Sequence, residues 1–283
     1  SRGLGDVYKR QMSMSLPLEG AIDILLDFGA TETEQIANFG VDFSEAEAFW
    51  ESKQNGYRDA GFAAPWQVSI EVGLTPIDGL GGVLAEAGPT SVNPYGRYAE
   101  TTQGVMNFDT ADLLSMQQNE TLAGVVRHEM GHVLGFGSLW SMHGVYLEES
   151  GQYIGAAGLL AFREEFNQPN ANFVPVELDG GAGTANGHWN MGIDLGSQEA
   201  LNSNEDPGDS IVYTSVKNGE TLDNELMTGF LSGSTWLSNT TLQSFRDIGY
   251  TVVPEPAAYA LWIGFLCICR AFASRSKAGN SAA

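Results

Sequence analysis

His128, Glu129 and His132 are the residues of this chain whose types and spacing most directly imply chemistry. Two histidines four apart on an α-helix project from one face, a turn apart, where both imidazoles reach one metal ion. Glu129 lies about 60° round the helix from His132, at roughly 100° per residue, so it stands beside the pair without being a ligand. A carboxylate in that place takes a proton from a metal-activated water, which is what metal-assisted hydrolysis of a peptide bond requires. The plain alternative is a pair of core histidines satisfied by hydrogen bonds.

The surrounding pattern supplies the helix. Leu122, Val125, Val126, Met130 and Val133 form an apolar stripe that begins after Thr121, a candidate N-cap, and Gly135 with Gly137 supplies the stop. The histidines fall on the flank of that stripe, where a pair facing a cleft belongs. Catalytic zinc sites take three protein ligands and leave a fourth position open. The third ligand is His143, His188 or a carboxylate. The metzincin group of zinc proteins turns at a glycine three residues after the second histidine and brings in a third histidine three residues later. Here that position is Ser138, so the compact pattern is broken and a more distant ligand is required.

Four stretches carry a family resemblance. The runs Asn107 to Leu113 and Arg127 to Trp140, the pair His188-Trp189 after the glycine-rich segment 180–187, and Asn224 to Gly229 resemble bacterial relatives of leishmanolysin. Leu242 to Tyr250 is similar to that family's closing helix, and the likeness covers roughly residues 20–252. The resemblance implies that His128, His132 and His188 hold one catalytic Zn2+. It implies that Glu129 is the general base and that Met227 forms a methionine turn packed under the metal. His143 then becomes a loop histidine, with Asp194 and Glu199 as residual ligand candidates. Asp109 and Asp112 precede a helical stretch, 111–118, and are expected to cap it.

The coarse reading is an α+β, zincin-like fold. Alternation of Ile22, Ile24, Leu26 and Phe28 predicts a strand over 21–28, and that of Val68, Ile70, Val72 and Leu74 another over 68–74. A helix is expected over 43–54, a turn-prone stretch over 79–94, and a short strand over 104–108. The N-terminal half, to about residue 136, should be a twisted mixed sheet with the active-site helix. The C-terminal half, 137–252, should be irregular and bring His188 and Met227 in from beneath. The cleft between the halves would hold an extended peptide paired with an edge strand. The polar stretch Ser203 to Asp209 reads as an inserted surface loop within 196–222.

The ends of the chain carry expectations of another kind. Residues 1–11 resemble a translated scar, and no export signal follows Met12 or Met14, which suggests that the natural beginning lies further upstream. Residues 253–283 combine Pro254-Glu255-Pro256, an uncharged run from Ala257 to Cys269, and the basic residues Arg270, Arg275 and Lys277. That layout resembles PEP-CTERM sorting signals of Gram-negative bacteria. It implies an exported surface protein, transiently membrane-anchored through this tail and handled by an exosortase-type enzyme. A run of that length is short for a membrane span, which takes about 20 residues. The net charge of −22 argues against nucleic acid or anionic lipid as a partner. Both cysteines, Cys267 and Cys269, lie in the tail and cannot staple the catalytic region.

These readings converge on a zinc endopeptidase acting on protein or peptide substrates. The rival from another class is a surface or matrix binding protein on the same scaffold, with no turnover and a closed four-ligand zinc completed by His143.

Overall fold

The computed structural model describes residues 22–29, 33–57, 66–181, 183–190, 192–194, 210–230 and 235–253. In chain order its first half comprises β1 (Ile22–Asp27), α1 (Thr33–Lys53), β2 (Gln54–Tyr57), β3 (Trp66–Thr75), β4 (Ala85–Tyr95), β5 (Tyr98–Asp109), α2 (Leu113–Gln118) and α3 (Leu122–Val133). The second half contains β6 (Tyr146–Leu147), β7 (Gln152–Tyr153), α4 (Ala156–Glu165), β8 (Val174–Pro175), β9 (Gly192–Asp194), β10 (Ser210–Val212), α5 (Asn239–Asp247) and β11 (Tyr250–Val252).

Four strands form one mixed sheet in the order β1-β3-β5-β4, with β1 and β5 parallel to β3 and β4 antiparallel to β5. Alternation sets its inner face. Ile22, Ile24, Val68, Ile70, Met106 and Phe108 are all buried there. Helices α1 and α3 cover that face. Phe43 of α1 meets Phe28 and Phe108 edge-on at centroid separations of 5.3 and 5.1 Å. Trp50, fully buried, donates its indole N–H to the Arg127 carbonyl at 2.8 Å, which fastens α1 to α3.

The reading of 79–94 as a turn-prone stretch needs correction. Only 76–84 is a loop; β4 runs through Gly88, Pro89 and Pro94. Proline lacks the donor a central strand needs, but β4 lies at the sheet edge, and the register shifts around Ser91 absorb the misfit. The expected strand at 104–108 extends over all of β5, and the expected helix at 43–54 begins at Thr33.

The second half is largely irregular, as its composition suggests, but it contains α4, which the sequence reading did not anticipate. Helices α4 and α5 pack together and cap each other. Glu165, at the end of α4, accepts from the Asn239 and Thr240 N–H groups at the start of α5, at 3.0 and 2.8 Å. Asp247, at the end of α5, accepts from Ala157 and Gly158 N–H at the start of α4, at 2.9 and 2.8 Å. Each carboxylate thus meets the positive end of the other helix. Beyond α5, β11 pairs antiparallel with β2 and ties the end of this half back to the first.

By its internal contacts the chain divides after Val252 into two units, 1–252 and 253–283. Apart from Val253 the second unit lies outside the described residues, as do residues 1–11 and the stretch Ser203 to Asp209. Among the described residues no helix is long and apolar enough to cross a membrane.

Candidate metal centre

Helix α3 carries the two spaced histidines because its apolar stripe is buried: Leu122, Val125, Val126, Met130 and Val133 are each at most 5% exposed. Val133 reaches the sheet where Gly104 leaves room, since a side chain at 104 would overlap it. Thr121 does occupy the N-cap position, but its hydroxyl donates to the Met116 carbonyl and makes no cap bond. At the other end Gly135 (φ +111°) and Gly137 (φ +69°) adopt backbone that L side chains resist. The turn at Gly137 also admits the backbone of Gly187 into the space a Cβ would fill. That approach delivers His188, the next residue, to the helix.

The three imidazoles converge. Their Nε2 atoms lie 3.0 Å (128 to 132), 3.0 Å (128 to 188) and 2.9 Å (132 to 188) apart. Each opposite nitrogen is committed to a backbone carbonyl: His128 Nδ1 to Leu226 O at 2.7 Å, His132 Nδ1 to Phe136 O at 3.0 Å, and His188 Nδ1 to Thr184 O at 2.8 Å. A carbonyl only accepts, so every Nδ1 carries the proton and every Nε2 presents a bare lone pair. Three lone pairs cannot satisfy one another. An electrophile between them can, and backbone carbonyls behind the ring nitrogens are the usual support of histidine ligands. The donor set therefore fits a nitrogen-liking divalent ion such as zinc.

Electrostatics agree with neutral rings. Burial lowers the pKa of His188 to about 3, with the neighbouring His128 adding to the effect. Burial, then His188 and His128, holds His132 well below its usual range, and burial lowers His128 as well. Burial lifts Glu129 to about 8, with Glu86 adding to the rise. A cation held beside it acts in the opposite sense.

Met227 is fully buried under α3. Gly131 makes the room: a Cβ there would stand 2.8 Å from both Sδ and Cε of Met227. The chain around Met227 also touches both arms of the centre, since Leu226 O holds His128 and Met227 O accepts from Trp189 N–H at 3.0 Å.

The remaining candidates fall elsewhere. His143 accepts from Ala99 N–H through Nε2 at 3.0 Å and donates through Nδ1 to Leu139 O at 2.8 Å, so both ring nitrogens are used. Among the described residues the group able to hold a metal is His128, His132 and His188. Glu199 lies outside the described residues, and Asp194 is described only as backbone of β9. Asp112 stands at the N-cap of α2 but makes no side-chain cap bond, and Asp109 Oδ1 accepts from Ala111 N–H at 2.8 Å, just ahead of the helix. Asp109 Oδ2 accepts from Ile77, Asp78 and Gly79 N–H at 2.9 to 3.1 Å, and Asp112 Oδ1 from Gly81 N–H at 2.8 Å. Both also anchor the loop between β3 and β4. The carbonyls of Phe136, Thr184 and Leu226 escape sequence reasoning because every residue has one; only the Gly135–Gly137 turn hints at the first.

Comparison with known proteins adds one finding. Residues 68–198 match the Peptidase_M8 family, leishmanolysin. The matched segment contains all three histidines and Glu129, and stops before Met227. It supports a leishmanolysin-like metallopeptidase, whose family is zinc-dependent. No curated protein matches the chain significantly.

Proposed function

We propose that this chain is a zinc endopeptidase in which His128, His132 and His188 hold one Zn2+ and Glu129 is the general base. The observation that carries the reading is the triangle of three unprotonated Nε2 atoms, each turned inward by a carbonyl behind it. Zinc held there supplies Lewis acidity, polarising a peptide carbonyl and making water more acidic. Glu129 accepts the proton of the attacking water and returns it to the leaving amine nitrogen. Its burial, at 6% exposed, keeps bulk water from competing for that proton. An extended substrate backbone pairs with β4, one of the two edge strands of the sheet among the described residues. His143 does not serve as a fourth ligand, because its nitrogens are spent on Ala99 and Leu139; the centre stays open, which favours turnover over a closed binding site.

The same proposal includes the chain's ends. Residues 253–283 act as a PEP-CTERM sorting tail, recognised by an exosortase-type enzyme, on a protein exported to the surface of a Gram-negative bacterium. The support is the order of Pro254-Glu255-Pro256, uncharged run and basic end.

The test is cleavage of unfolded casein by the full chain beside Glu129→Ala, with and without a chelator. Loss of a general base costs about 10²–10⁴-fold in rate. The expected result is that rate loss in the variant, and chelator-sensitive activity restored by zinc in the wild type. Equal rates in both proteins contradict the assignment.

A further inference from the structure

We infer that Glu225 is a positioning residue for the metal centre: its carboxylate clamps the Met227 turn so that the turn can hold His128 and the chain beside His188. The inference rests on the zinc reading above. Glu225 is 1% exposed. Its Oε2 accepts from Met227 N–H at 2.6 Å, and its Oε1 accepts from Ser238 N–H at 2.9 Å and from the Thr241 hydroxyl at 2.6 Å. The last two donors belong to the start of α5, where Ser238 is the N-cap. One carboxylate therefore bolts the turn to the first residues of a helix.

What the bolt holds is specific. Leu226, between Glu225 and Met227, supplies the carbonyl that keeps the proton of His128 on Nδ1 and its Nε2 free. Met227 supplies the carbonyl that takes Trp189 N–H, next to His188. Thr241 closes the circuit: its Oγ1 accepts from the Trp189 indole N–H at 2.7 Å while its own proton goes to Glu225. Two of the three ligands are thus steered through one buried acid that touches neither of them. Acid-to-amide exchange isolates the role. In Glu225→Gln the amide oxygen still serves Ser238 and Thr241, but an NH2 faces Met227 N–H, donor against donor.

The experiment measures zinc dissociation into excess chelator from the full chain, with unfolding followed in parallel. Loss of a support behind metal ligands typically costs about 10–100-fold in metal affinity. Glu225→Gln is expected to release zinc within that range faster than wild type. Glu165→Gln is the control: it alters a comparable buried carboxylate at the start of α5, bonded to Asn239 and Thr240 and not to the 225–227 turn or Trp189. It should lower stability and leave zinc release unchanged. Equal acceleration in both variants, or none in Glu225→Gln, overturns the inference. If Glu225→Gln does not fold, Thr241→Val removes the hydroxyl that joins Glu225 to the Trp189 indole, leaves the Met227 bond in place, and should still speed release several-fold; a wild-type rate there overturns it equally. Zinc release does not depend on turnover. A wild type that binds one zinc and cleaves nothing therefore defeats the peptidase reading and leaves this one standing.

Discussion

A histidine contributes a ligand only when something behind it sets its proton, and here three carbonyls do that work. The tight spot beneath them is Gly131. Alanine is the better helix former by about 1 kcal/mol, yet its methyl would press on Met227, and overpacking costs about 1–3 kcal/mol. Gly131→Ala should therefore be neutral to destabilising in the wild type and stabilising in a Met227→Ala background, a sign reversal readable by urea unfolding of the four proteins. An unchanged sign would mean that the two residues do not share the space. A second residue prediction concerns Glu100, 1% exposed, whose Oε2 is buried without a donor among the described residues. Burial lifts its pKa from 4.5 to about 7. Below pH 4.5 folded and unfolded chains are both protonated there; between 4.5 and 7 the unfolded chain gives up the proton that the folded chain keeps, so stability falls across that window and levels off above it. Glu100→Gln should match wild type near pH 4.5 and exceed it by on the order of 2 kcal/mol at pH 8. A constant difference between the two across that range would contradict the account.

At the scale of elements, Asp109 makes the clearest prediction. The N–H groups of Ala111, then of Gly79, Asp78 and Ile77, hold its carboxyl below the usual 3.8. The contribution is complete above that value and lost as pH falls below it. Asp109→Asn should expose 76–84 to faster hydrogen exchange while leaving α3 protected; uniform loss across both would place Asp109 in the global core instead. The same loop shows where sequence reading stopped. The active-site helix was legible because a 3.6-residue apolar stripe and a glycine stop coincide in one short segment. The strands β1 and β3 were legible through alternation. Strand β4 was not, because Gly88, Pro89 and Pro94 mimic a turn, and only its place at the edge makes them tolerable. Helix α4 escaped because the carboxylate that caps its start, Asp247, lies about ninety residues away. Asp109 and Asp112 looked like caps because local signals cannot reveal a partner thirty residues upstream.

At the scale of the molecule, two links draw the second half up against the first: the turn at 225–227 grips His128, and β11 pairs with β2. Within the second half, Gly187 seats on Gly137 and the same turn holds Trp189. The proposed ligand set spans a sequence distance of 60 residues, so the three histidines meet only when both halves are in place. His188 is the ligand whose assignment depends most on that long-range assembly. The most direct measurement is zinc per chain, by mass spectrometry after exhaustive dialysis, in wild type, Glu129→Ala and His188→Ala. The account predicts one zinc in the first two and a small fraction of one in the third. Full zinc retained by His188→Ala would contradict it.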